Sequence, residues 1–247
     1  MISQRRAFFS FCFLFSFLLA FPILAAQVTH TFYPIGDTFI KDNGQNENEG
    51  LNTSLRLQQP DRSSHILLKF SQSNILNVIG SSQVVSANLK LYIETNFNNW
   101  GSGSSVDVHR MTEGWEEYIS GSPAQGATWN CSVDLNLGNT QPNCTMQWEG
   151  GSYESTVLSS VFHQNGQTGW KVFNVTNDVQ LIQNGSTHYG WLLRKPNPAN
   201  QGSLDYTSIQ GSASYKPRLE VIVDTTPSTI TATVNPQPNS LGGITRM

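Results

Sequence analysis

The sequence predicts an all-β domain, a sandwich or jelly roll of about ten short strands. Three observations predict it: apolar and polar residues alternate with a period of two in several runs, Gly- and Asn-rich turns separate those runs, and a 3.6-residue period is almost nowhere sustained. The clearest run sets Val85, Ala87, Leu89, Leu91 and Ile93 against Ser86, Asn88, Lys90 and Tyr92. Such a strand buries one face and wets the other.

The other elements follow in the same way. Leu219, Val221 and Val223 alternate with Arg218, Glu220 and Ile222, while Leu55 and Leu57 flank Arg56, and Val106 and Val108 flank Asp107. Further strands are expected over residues 28–33, 38–41, 65–70, 170–175, 189–194 and 204–209. Asn43-Gly44, Asn165-Gly166 and Asn184-Gly185 mark turns. Residues 177–183 read as one short helical turn, with Asn174 or Thr176 as its cap. Trp129, Trp170 and Trp191 sit in strand motifs and are expected in the core.

The ends differ in character from this middle. Arg5 and Arg6 precede an apolar run from Ala7 to Phe21, which Pro22 breaks before the small residues Ala25 and Ala26. That is the plan of a secretory signal peptide over residues 1–26. The run is short for the roughly 20 apolar residues of a spanning helix. Residues 27–224 form the expected β-domain, and residues 225–247, rich in Thr, Pro and Ser, read as a flexible tail. Losing Arg5 and Arg6 with the leader takes the formal charge from -3 to -5. A mildly acidic chain without a basic run is not one that nucleic acid attracts. Once the leader is gone, Cys131 and Cys144 are the remaining cysteines, and an even pair in an oxidising compartment reads as one disulfide. The expected location is outside the cell or on its surface, with the periplasm as the Gram-negative equivalent.

Catalytic patterns are scarce. There is no Gly-x-Ser-x-Gly elbow, His-Glu-x-x-His helix or phosphate loop. Glu113, Glu116 and Glu117 cluster around Trp115, but one local segment does not place carboxylates on both sides of a glycosidic bond. Arg110, Tyr118, Arg194 and Lys195 supply the residue types of a polysaccharide lyase without any spacing that requires one. No catalytic residue is assigned, and no enzyme is expected.

Binding fits better, because sugars offer C–H faces to aromatic rings and hydroxyls to amide and carboxylate groups. Trp100, in a loop, and Trp148, beside the Cys131–Cys144 segment, are the expected stacking platforms. Arg194 and Lys195, an adjacent basic pair at a strand end, suit a uronate or sulfate group. The oxygen-rich run over residues 42–50 suits Ca²⁺ in ligand type, though not in EF-hand spacing, and a solvated turn is the plainer reading. No other cofactor is expected.

Motifs in order, from Gly36-Asp37-Thr38-Phe39-Ile40 to Pro217-Arg218-Leu219-Glu220-Val221, resemble the DNRLRE domain family, which includes disaggregatase-related proteins and a group of alginate-binding modules. They are Gly36-Asp37-Thr38-Phe39-Ile40, Leu55-Arg56-Leu57, Ile66-Leu67-Leu68-Lys69-Phe70 and Ser86-Ala87-Asn88-Leu89-Lys90-Leu91-Tyr92. Val106-Asp107-Val108-His109-Arg110, Trp115-Glu116-Glu117 and Thr128-Trp129-Asn130 follow, and then Trp170 to Val179, Tyr189 to Leu193 and Pro217 to Val221. The likeness spans residues 33–224, with an insertion-like stretch from Cys131 to Gly151. It implies a jelly-roll-like β-sandwich of antiparallel strands. It also implies a secreted, non-catalytic module for an acidic or cell-surface polysaccharide. A structural or adhesive surface protein and an unrecognised lyase or hydrolase are the alternatives.

Overall fold

A computed structural model describes residues 26–59, 62–97, 99–196 and 202–225. All but the last residue of the expected leader, and all but the first of the expected tail, lie outside the described residues. Eleven strands are present among them: β1 (Gln27–Phe32), β2 (Gly36–Lys41), β3 (Ser54–Gln59), β4 (Ser64–Lys69), β5 (Gln83–Asn96) and β6 (Ser104–Arg110). β7 (Ser159–His163), β8 (Gly169–Asn174), β9 (Trp191–Arg194), β10 (Gly202–Thr207) and β11 (Arg218–Asp224) complete the set. Two helices, α1 (Gln72–Ile79) and α2 (Thr176–Gln183), pack at one end.

The strands form one curled antiparallel sheet in the order β1-β11-β5-β10-β3-β4-β9-β6-β7, with β2 added on β4 and β8 on β5. Only the pair Gln58↔Ser64 joins β3 to β4, so the sheet folds there into two walls. One wall contributes Phe39, Ile66, Leu68, Val108, Trp191 and Leu193 to the main core, and the other contributes Leu57, Leu89, Leu91, Phe173, Tyr206 and Val221. The fold is all-β, as the alternation predicts.

β5 shows the alternation at work, with Ala87, Leu89, Leu91 and Ile93 wholly buried. At its start the pattern shifts by one: Val84 is buried and Val85 is exposed. The register slips opposite Ile222 and Val223, which is a β-bulge, and a bulge turns the following side chains over. The same parity corrects the expectation for Trp170. In β8, Lys171 and Phe173 face inward, so Trp170 and Val172 face outward, and Trp170 is half-buried beside Tyr92.

Helix α1 answers to no expectation from the sequence. Ser71 caps it, its hydroxyl accepting the Asn74 N–H at 3.2 Å, and Ile75 and Ile79 turn to the core one helical turn apart. Strand β7, short and poor in apolar residues, was likewise not expected. Helix α2 covers the expected turn, but its N-cap is Val175, without a side-chain cap bond, rather than Asn174 or Thr176; Asn174 accepts the Thr176 N–H at 3.0 Å just before it.

The long connection between β6 and β7 has only isolated bridges, yet it covers a wall. Met111, Trp115, Ala127, Trp129 and Trp148 form a second apolar cluster against Ile40, Leu67 and Leu192. These three residues lie on the outer side of β2, β4 and β9, so β4 is buried on both faces. That explains its unbroken His65-Ile66-Leu67-Leu68 run. His65 is held in this layer by a 2.6 Å bond from Nδ1 to the Gly150 carbonyl, and burial drives its pKa down to about 4.

Candidate functional site

The four residues expected to bind are placed as follows. Trp100 is wholly buried, and the Lys195 ammonium lies 4.5 Å from the centre of its ring. Those two expected residues therefore meet, but inside the fold. Burial brings the Lys195 pKa down to about 8. Strand alternation splits the adjacent basic pair: Arg194 lies outward, over the Tyr153 ring at 5.6 Å, while Lys195 turns in. Trp148 belongs to the second apolar cluster, with its Nε1 donating to the Thr128 carbonyl at 2.8 Å. As placed, neither tryptophan offers a ring face to solvent. The Cys131–Cys144 disulfide is formed.

The residues weighed for catalysis are dispersed. Arg110 is buried, with Nε on the Asp178 carboxylate at 2.7 Å, and Asp178 also accepts the Trp191 Nε1–H at 2.9 Å. Glu116 pairs with Lys69 at the surface. Glu117 accepts the Asp37 N–H at 3.1 Å and the Gln210 amide at 2.7 Å. Burial raises the Glu117 carboxyl and pushes Asp37 up to about 8, with Glu117 adding repulsion to the latter. Two raised carboxyls side by side have the look of an acid–base pair. Asp37 is only 1% exposed, however, and neither carboxyl lines the cleft beside Tyr118.

That cleft is built by other segments. Open and of about 850 Å³, it lies between residues 44–52, Tyr118 and Ala124, and residues 137–140 of the disulfide loop. Asparagine side chains tie these segments together. Asn46 donates to the Thr140 carbonyl at 2.6 Å and accepts from Asn130 at 3.0 Å. Asn48 donates to the Glu117 and Ala127 carbonyls at 2.7 and 2.8 Å. Leu51 stands 64% exposed in the wall.

The cleft does not end there. It shares Glu49 and Asn52 with a pocket of about 220 Å³, which shares Phe39, Lys41 and Arg56 with another of about 120 Å³ that ends at Gln58 and Arg62. The three adjoin one another past β2 and β3 and are together called the groove. Among the described residues no ladder joins those two strands. Its far end is cationic. Burial acts to lower the Lys41 ammonium, but Glu47, at 2.5 Å, and Glu49 outweigh it and hold it above its ordinary range. Arg56 binds Asp205 through two 2.9 Å bonds, which raise its pKa, and lies 5.2 Å over the half-exposed Phe97 ring.

The oxygen-rich run over residues 42–50 thus forms a wall of the groove, with two of its acids engaged by Lys41. Among the described residues no cluster of three or more His, Cys, Asp or Glu side chains suits a metal ion. No described helix is long and apolar enough to cross a membrane. Such an arrangement, a succession of depressions with amides, carboxylates and guanidinium groups, can hydrogen-bond a chain of hydroxyls.

Comparison with curated proteins gives no match. The model of carbohydrate-binding module family 96 matches residues 28–223, nearly the whole β-domain, and the chain belongs to that family.

Proposed function

We propose that the chain is a secreted, non-catalytic module that holds an acidic polysaccharide along the groove between the disulfide loop and Arg62. One observation carries this reading: three depressions that share lining residues follow one another past β2 and β3, a layout that suits consecutive sugar units rather than one end group. The amide-rich end suits hydroxyls. Arg62 at the other end, with the Arg56 N–H groups that Asp205 does not take, suits carboxylates, since a guanidinium binds carboxylate in a planar fork. The expected signal peptide and the disulfide support export.

Retention of the protein on immobilised polygalacturonate, alginate and neutral glucan, with and without Ca²⁺, tests the reading. Retention on the acidic gels should exceed that on glucan and fall with added salt, because exposed charge pairs are screened. Arg56→Gln with Arg62→Gln should weaken it. Equal retention of the double variant on every gel contradicts the proposed groove.

A further inference from the structure

The outward face of β8, β5 and β11 carries aromatic rings that no core requires. Tyr92 and Trp170 are register partners on this face, their ring centres 5.4 Å apart and nearly edge-on. Tyr215, from the turn before β11, stacks on Tyr92 at 4.0 Å with planes 16° apart and is itself 39% exposed. None of the three belongs to either apolar cluster. Water-facing positions of a sheet with one buried face are ordinarily polar, so three clustered rings there call for a partner or a shielding role.

The charges beside them point to the partner. The Arg218 guanidinium lies 4.1 Å over the Trp170 ring, and its Nε donates to Glu220 at 2.9 Å. Lys90 meets the same carboxylate at 2.5 Å. Two cations thus share one acid, and Glu94, two residues beyond Tyr92 on the same side of β5, is a second carboxylate of this face. Among the described residues only the Nε of Arg218 is committed to a carboxylate, and the remaining guanidinium N–H groups can serve another anion. Ring faces for C–H groups beside a guanidinium for a carboxylate are the two requirements of a uronic acid unit.

We propose that Tyr92, Trp170 and Tyr215, with Arg218 and Lys90, form a second saccharide-binding surface, selective for uronic acid units and separate from the groove. Arg56 of the groove sits on β3, two strands from β5 across β10, roughly 10 Å along the sheet. Two surfaces on one module give avidity for a polymer that neither gives alone. The proposal rests on reading the chain as a polysaccharide binder.

The experiment is calorimetric titration of the full chain with a galacturonic acid hexamer, using cellohexaose as the neutral control. The wild type should take up two acidic hexamers. Tyr215→Ala should weaken one of the two by about 3- to 10-fold, the size of one lost aromatic contact. Trp170→Ala should do the same and Arg218→Gln should remove the acidic preference there, while Arg56→Gln with Arg62→Gln should affect the other site. Circular dichroism checks each variant; Tyr215, on an exposed turn, keeps the test valid if Trp170→Ala unfolds. If the Tyr215 and Arg218 variants titrate like wild type while the groove variant loses binding, the second surface is wrong and the groove stands. If no protein takes up either hexamer, the underlying reading fails and this proposal with it.

Discussion

Replacing Asp37 with asparagine should change how stability depends on pH, in a direction and size set by the fold. Asp37 enters at the start of β2 and is 1% exposed; its Oδ2 accepts the Ile209 N–H at 2.8 Å, and its Oδ1 meets no hydrogen-bond partner. Burial is the main force against ionisation and the Glu117 carboxylate adds to it, while the Ile209 N–H and Lys216 act the other way. The net result lifts the pKa from its ordinary 3.8 to about 8. The native state therefore keeps a proton that the unfolded chain gives up. Its stabilising effect is whole below pH 3.8 and fades as pH rises through the native value near 8. At about 1.4 kcal/mol per pH unit, the full displacement is worth on the order of 6 kcal/mol. Histidines act on the other side: burial drives His65 and His188 down to about 4 and His163 to about 3, so their contribution is lost as pH falls below 6.5. Both proteins share those histidines, so the difference between them in urea unfolding at pH 7, 7.5 and 8 isolates Asp37. Across that series wild type should lose stability relative to Asp37→Asn, which keeps an acceptor for Ile209 and has no carboxyl to ionise. Parallel curves for the two proteins would refute the reasoning.

Three further outcomes follow from the same geometry. Cys131→Ser with Cys144→Ser should lower stability by about 3 kcal/mol, as expected for opening a loop of this length. The same pair should weaken saccharide binding, because residues 137–140 wall the groove; denaturant melts and gel retention check both effects. Gly190→Ala should cost on the order of 2 kcal/mol or more, since φ there is +121° and a methyl group would lie 2.4 Å from the Leu68 carbonyl oxygen; a thermal melt suffices. Ser71→Ala should cost about 1 kcal/mol by removing the cap of α1, measured by urea unfolding with the slope unchanged.

Most of the strands were legible because a half-buried strand records its own orientation in every second residue. β11 and the length of β5 from Ala87 to Ile93 needed nothing more. Where a second constraint intervened, the record misled: the bulge at Val84 moved the buried position by one, and β4, covered on both faces, lost its alternation. α1 escaped because eight residues with two buried isoleucines are too few to display a period. Trp170 could have been placed from Phe173 and Lys171, whose parity fixes it outward. Trp100 could not, because a loop residue's burial depends on what it folds back over, here Lys195. The groove was the least legible feature. Its walls come from residues 44–52, 118–124 and 137–140 and from two strands, and only folding makes them neighbours.

Mapping amide shifts by nuclear magnetic resonance during titration with a uronic acid oligosaccharide puts the central claim to the most direct test. The account predicts progressive shifts in residues 44–52, 54–58 and 137–140, attenuated in Arg56→Gln with Arg62→Gln. Saturable binding that leaves those segments unmoved would contradict it.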